Sequence, residues 1–393
     1  MHPLRNVSQD DFAKLCEALW GWKPCADWIE KRKCQCLSQD PECHYQRAQR
    51  LKTFFDFYRE TTTYYIPELT GSSPPAIETH DGLIRIIRYI KQHADKARLR
   101  LTIDYFGIRE HPGLQIELSD DHNRAFTLAA RVITMFECAT KEQPNGQLEA
   151  GLQPTIWHSD KSFNQFVLSC IPRQGQHQLR PYNDTIPWPG VPSGSITMKR
   201  LKKIAKLTII PTDDLGNHLL LDRKNGTIAV YHYTSVLKEH LLMTRESRDG
   251  TRSSTQQHRN LPKELALETL YTLKHVLFPI DPESRSLLQS LVVKDKFDPD
   301  ICDDINTSWQ QHEGPIAYEH WGLRLMDLYD ELQNPTPRGP LEKWMERNSG
   351  SRYVMMATLA GVLIAVLLGI LSLGVSIFQA WVGWQQWQHP VST

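Results

Sequence analysis

Apolar residues recur along most of this chain at the three- and four-residue spacing of amphipathic helices. Ser8 to Trp20 opens the series, with Ser8 as N-cap and Asp11 three residues on, a capping-box-like start. After a Pro/Gly/Ser break, TGSSPPAIETHDG, the stretch GLIRIIRYIKQHADKARLRLTIDYFGI reads as helix and then strand. RAFTLAARVITMFECA reads as a further amphipathic helix. Later, LLLD and TIAVYHY flank RKNG, which predicts a β-hairpin over about 217–233 with a type I′ turn at Asn225-Gly226. Helical spacing returns in LPKELALETLYTLKHVLFP, SRSLLQSLVV and GPIAYEHWGLRLMDLYDELQNP.

The pattern changes near the end. From Val354 through Phe378 no residue is charged, a run of 25 residues. As a helix it reaches about 37 Å at ~1.5 Å per residue, enough to cross a ~30 Å bilayer core with some tilt. A transmembrane helix is therefore expected over 353–378, with a short tail over 379–393. Arg338, Lys343, Arg347 and Arg352 precede the run, and no Lys or Arg follows it. The positive-inside rule then expects the large N-terminal part in the cytosol, with Arg347 and Arg352 at one interface and Trp381, Trp384 and Trp387 at the other. Met1 to Lys23 carries too many charges for a secretory signal, so a tail-anchored protein of the endoplasmic reticulum or another endomembrane is expected. Ala357, Gly361, Ala365 and Gly369 recur every four residues and lay small side chains along one face, a ridge on which a second copy can pack.

The fold class expected is α+β: a mostly helical cytosolic region with at least one β-hairpin, plus one transmembrane α-helix. The order is a mainly helical domain (1–171), a Pro/Gly-rich linker (172–195), a hairpin-plus-helix domain (196–334), a juxtamembrane segment (335–352) and the anchor. Hydrophobic residues at 40% supply a packed core, and a mean hydropathy of -0.45 fits one anchor on a polar body. Lys plus Arg and Asp plus Glu are both 45, so no basic footprint points to nucleic acid as a partner. The local basic run MKRLKKIAK, with Lys199, Arg200, Lys202, Lys203 and Lys206, is a solvated helix face that can also meet anionic lipid.

Candidate chemistry is sparse. Cys16, Cys25, Cys34, Cys36 and Cys43 are spaced C-x8-C-x8-C-x-C-x6-C and followed by His44, without the two close pairs of a zinc knuckle, so reduced structural thiols are expected. In FDPDICDD, an EF-hand counted from Asp298 places Asp303 at the glycine position and Trp309 at the glutamate position, so a capped, solvated helix start is the reading. His158, Ser159 and Asp160 adjoin in sequence, but neighbours cannot usually point at one another as a triad must. No G-x-S-x-G, HExxH, Walker A or G-x-G-x-x-G motif occurs, and no cofactor is expected. An unfamiliar enzyme would have to assemble dispersed groups such as His158, Asp213, Asp214 and His218. Sequons stand at Asn6, Asn183, Asn225 and Asn306, and a cytosolic location would leave all four unmodified.

PTDDLGNHLLLD, LPKELALETLYTLKHVLFP and the run from WGLRLMDLYDELQNPTPRGP through QAWVGWQQWQHP resemble a large group of uncharacterised filamentous-fungal proteins. The likeness covers about 195–390. It implies a fungal source and a single C-terminal membrane helix, and some similar sequences belong to subtelomeric clusters associated with colony or biofilm morphology. It implies no reaction and carries no catalytic residue. The function expected is a non-enzymatic interaction or scaffold protein on a membrane, with a tethered enzyme of unrecognised class as the alternative. The expected partners are the lipid bilayer, a second copy through the anchor, and an unidentified protein.

Overall fold

The computed structural model describes residues 3–32, 34, 43–67, 75–110, 119–140, 154–171, 194–248, 260–302, 318–339 and 352–388. The chain divides into two compact units, Met1–Pro335 and Thr336–Thr393. The first is mainly helical with two small sheets, and the second is built on one long apolar helix, so the fold is α+β with one helix of membrane-spanning length.

The helix Gln9–Trp20 starts as its sequence predicts. Ser8 Oγ accepts the Asp11 N–H at 3.1 Å, and the Asp11 carboxylate accepts the Ser8 N–H at 3.0 Å. Gly21 ends it in the left-handed region, φ 78°. Its last carbonyls face inward and take imported donors: Lys91 Nζ donates to the Ala18 and Leu19 carbonyls at 3.1 and 2.5 Å, and Asn260 Nδ2 donates to Leu19 at 3.0 Å. Burial alone lowers the Lys91 pKa to about 7. Lys91 lies on the helix His80–Gln92, which buries Leu83, Ile84, Ile86, Ile87 and Ile90. Each such side chain contributes about 1.5–3 kcal/mol relative to exposure.

The strand expected in RLRLTIDYF is instead the helix Arg98–Glu110. Arg98, Leu101, Thr102 and Phe106 are buried at helical spacing, whereas Leu99 is 46% exposed. The turn at 159–161 satisfies the first amides: Arg98 N–H donates to the Lys161 carbonyl at 2.9 Å and Leu99 N–H to Ser159 at 3.0 Å. The helix Asp120–Thr134 follows, with Met135 left-handed at φ 56°. The chain then enters the two-residue strand β1 (Cys138–Ala139), parallel to β2 (Thr155–Ile156).

The expected hairpin is present as β4 (Leu220–Asp222) antiparallel to β5 (Thr227–Tyr231). Its turn differs. Type I′ requires positive φ at both central residues, and of Asn225 and Gly226 only Gly226 has it, at 69°. The loop is four residues, closed by the Gly226 N–H donating to the Asp222 carbonyl at 2.8 Å, while the Asp222 carboxylate accepts from the Asn225 N–H at 3.0 Å. β3 (Thr208–Thr212) joins the other side of β5 in parallel, giving the order β3-β5-β4. Ile228 and Val230 of the central strand are fully buried.

Segments 1–171 and 196–334, read from sequence as two domains, bury one apolar core. Polar contacts also join them: Arg131 pairs with Asp213 at 2.9 Å, and the Tyr231 hydroxyl donates to Met135 Sδ at 3.1 Å. Most of the expected linker, Arg347 and Lys343, and the sequons Asn183 and Asn306 lie outside the described residues. In the second unit the helix runs from Arg352 to Gln388, past the expected end at Phe378 and through all three tail tryptophans.

Candidate functional site

The largest feature turned toward the surroundings is that helix. Thr358–Gln385, 28 residues containing an 18-residue stretch of mean hydropathy 2.6, is long and apolar enough to cross a membrane, and none of that stretch is buried. From Arg352 to Trp381 a helix rises about 44 Å, comparable with the ~40–45 Å of a bilayer including its headgroups. Apolar side chains lie all round it: Leu363, Leu367 and Leu371 are as exposed as Val362, Val366 and Ile370. Its serine hydroxyl at 376 donates to the Ser372 carbonyl at 2.9 Å and needs no outside partner. Trp381 and Trp384 are 53% and 60% exposed. Gly361 and Gly369, with Ala357 and Ala365, share the expected strip, and a Cβ added at either glycine meets nothing within 4 Å. The basic run is solvent-facing: Lys199, Arg200, Lys202, Lys203 and Lys206 are exposed, Met198–Lys203 is helical, and Lys199 ion-pairs with Glu283.

Inside the first unit, titratable groups gather at two centres. At one, Glu239 and Arg47 form an ion pair with side chains 3% and 4% exposed; Arg47 Nη2 donates to Glu239 Oε2 at 2.6 Å. Trp22 Nε1 donates to the same oxygen at 2.9 Å, and the guanidinium lies 4.5 Å from the Trp22 ring centroid. The neighbouring His240 is buried, and burial reinforced by Lys91 lowers its pKa to about 3.

The second centre is the FDPD segment, and here the solvated reading is overturned. Asp298 and Asp300 are 0% and 3% exposed. Asp298 accepts from the Ser235 N–H at 3.0 Å and the Ser235 hydroxyl at 2.6 Å, and its own N–H donates to His232 Nδ1 at 3.0 Å. Asp300 accepts from the Thr234 hydroxyl at 2.9 Å and pairs with Lys238 at 2.6 Å. The Asp298 carboxylate thus covers the Ser235 amide at the start of the helix Thr234–Arg248 from more than sixty residues away. Burial, with the Asp300 charge, raises its pKa to about 6 against the lowering pull of Ser235. Glu268 does the same for the helix Gly322–Gln333, accepting from the His320 and Trp321 N–H groups; its pKa rises by burial to about 7. The Ser235 hydroxyl donates to the Asp298 carboxylate inside the core, both side chains being at most 2% exposed, and His232 is stacked on Tyr233 and Phe297.

The dispersed set does not converge. His158, Ser159 and Asp160 are exposed. Asp213 pairs with Arg131, and Asp214 caps the short turn Leu215–Asn217, its pKa raised by burial to about 6. His218 is fully buried against Trp321 with Nε2 2.9 Å from the Thr272 hydroxyl, and burial lowers its pKa to about 3. A groove of about 520 Å³ opens elsewhere, walled by Phe12, Trp28 and Phe55 and rimmed by Lys52, Asp56 and Arg59. None of the shifted groups lines it. Cys25, Asp27 and Cys34 stand close enough to share a metal ion. Sequence reasoning missed that grouping because the ligands come together through a turn rather than through close spacing. No family model, curated protein or solved structure matches the chain.

Proposed function

We propose that this chain is a membrane-anchored, non-enzymatic interaction protein, displaying its folded unit on the cytosolic face of an endomembrane such as the endoplasmic reticulum. The observation that carries the reading is the long helix, apolar on every side, with Arg338, Lys343, Arg347 and Arg352 before it and no Lys or Arg after it. The non-enzymatic part rests on the distribution of titratable groups: carboxylates with raised pKa are consumed in covering helix ends, and the groove contains none of them. A tie to fungal colony or biofilm morphology belongs to this reading through the sequence resemblance alone.

Protease added to sealed vesicles containing the chain tests the orientation. The expected result is digestion of the 1–335 unit and protection of a small fragment containing Trp381, Trp384 and Trp387. Survival of the large unit, or a glycan on Asn6 or Asn225, would reverse the assigned side.

A further inference from the structure

The turn after Trp28 gathers ligands that the sequence keeps apart. Cys25 is the N-cap residue of the short helix Ala26–Ile29, and Asp27 stands on its first turn. Lys31 then takes the left-handed conformation, φ 57°, unusual for a residue with a Cβ. The Arg32 N–H donates back to the Asp27 carbonyl at 2.7 Å and the Glu30 N–H to Ala26 at 2.9 Å, so the chain reverses. Cys34 is thereby returned to Cys25. The ligand atoms of Cys25, Asp27 and Cys34 all lie within 4.8 Å of one another. Cys34 Sγ is also 3.8 Å from Sγ of Cys43, the residue that precedes the helix His44–Arg50. All four side chains are half-buried.

The sulfur separation is informative. A disulfide would need about 2.05 Å. Zinc–thiolate bonds of ~2.3 Å in a tetrahedron place two sulfurs about 3.8 Å apart along an edge. Cys25, Asp27 and Cys34 already share one cluster, and Cys43 meets it through Cys34; drawn onto one ion, three thiols and one carboxylate are a donor set suited to a thiophilic, tetrahedral, redox-inert divalent metal. We propose that Cys25, Cys34, Cys43 and Asp27 form a structural zinc site. Binding makes three Zn–S bonds and one Zn–O bond in exchange for the ion's bound waters, which leave to solvent together with the three thiol protons, and changes no oxidation state. The site would fasten Cys43, the residue before the helix His44–Arg50, to Cys25 and Cys34. Trp28 of the groove wall sits beside one ligand, and Cys43 leads into the helix whose Arg47 reaches Glu239. The ion would therefore hold both features in place.

The test is metal content and geometry in the full chain, purified in detergent with thiols kept reduced. About one zinc per chain is expected by elemental analysis, with loss of at least nine-tenths of it in Cys34→Ser and in Cys43→Ser. Cys302→Ser, at a thiol remote in sequence, should keep it. Cobalt exchanged into the wild-type chain should give intense visible bands of a tetrahedral ion and thiolate charge-transfer absorption. Asp27→Asn should weaken cobalt binding, and Asp27→Cys should restore it with added charge-transfer intensity. Wild-type chain without stoichiometric zinc or a tetrahedral cobalt spectrum overturns the proposal, as does a Cys34–Cys43 disulfide found in its place. Undiminished zinc in Cys34→Ser overturns it equally. If a serine variant does not fold, the wild-type cobalt spectrum decides alone.

Discussion

The two units solve the same problem in opposite ways. In the folded unit, helix ends left without partners are covered by side chains imported from far along the chain: Asp298 at the helix Thr234–Arg248, Glu268 at Gly322–Gln333, Lys91 and Asn260 at Gln9–Trp20. The tail helix is built on local bonds. Its backbone bonds run within the helix, its Ser376 hydroxyl bonds back four residues, and its apolar side chains face outward on all sides. The first arrangement suits a core surrounded by water, where each buried polar group needs a specific partner. The second is what a hydrocarbon solvent demands, since there no outside partner exists.

The comparison breaks most severely at Glu239. Replacing it with Ala leaves Arg47 buried without its countercharge and Trp22 Nε1 without its acceptor. A loss of about 3–5 kcal/mol is expected, read as a lower denaturant midpoint in the detergent-solubilised chain. The double change Glu239→Leu with Arg47→Met removes both charges together and should cost much less. If both variants lose the same amount, the pair acts through shape and not through charge.

A pH series gives the next largest effect, and its sign follows from two opposing sets. His218, His232 and His240 have folded pKa values of about 3, below the ordinary 6.5. They contribute stability that is present above pH 6.5 and lost as pH falls toward 3. Asp214 and Asp298 at about 6, and Glu268 at about 7, are raised. Their contribution is present at low pH and lost as pH rises through 6 and 7. His80, His275 and His320 are lowered by burial as well and join the first set. The three carboxyl protons gained by the folded state therefore offset only part of the histidine protons gained by the unfolded state. Stability should fall shallowly from about pH 6 to 5 and steeply below about pH 4, where the unfolded carboxyls also protonate. Glu268→Gln should remove part of that offset and steepen the decline from pH 7 downward. A denaturant midpoint that declined evenly from pH 7 in the wild type would contradict the placement of these carboxylates.

The contrast also explains what was legible in the sequence. Local devices were readable: the Ser8–Asp11 capping box, the β4–β5 hairpin and the uncharged run at 354–378 each lie within a few residues of one another. Distant devices were not. FDPD looks like any exposed acidic turn until Ser235 and His232, more than sixty residues earlier, are brought against it. RLRLTIDYF alternates like a strand, yet Arg98, Leu101, Thr102 and Phe106 are buried at three- and four-residue spacing while Leu99 is exposed, the pattern of a helix. Strand β3 pairs in parallel with β5 although β4 lies between them in sequence, which no local pattern announces. The shared apolar core of segments 1–171 and 196–334 and the grouping of Cys25, Asp27 and Cys34 are likewise not announced by local pattern.

The smallest effect is expected in the tail helix, where the proposed ridge Ala357, Gly361, Ala365 and Gly369 would bring two copies together. Leucine at Gly361 or Gly369 keeps the segment apolar, and its Cβ meets nothing within 4 Å in the single chain. The monomer should be untouched, so any change reports association alone. Close backbone approach would be blocked, costing about 1 kcal/mol or a fivefold drop in dimer at fixed detergent. Gly374 lies about 140° round the helix from Gly361, and Gly374→Leu is the matched control. Cross-linking yields should fall for the two ridge variants and hold for the control. Equal yields for all three would assign the small residues to ordinary helix composition, leaving the tail as an anchor that meets lipid on every face.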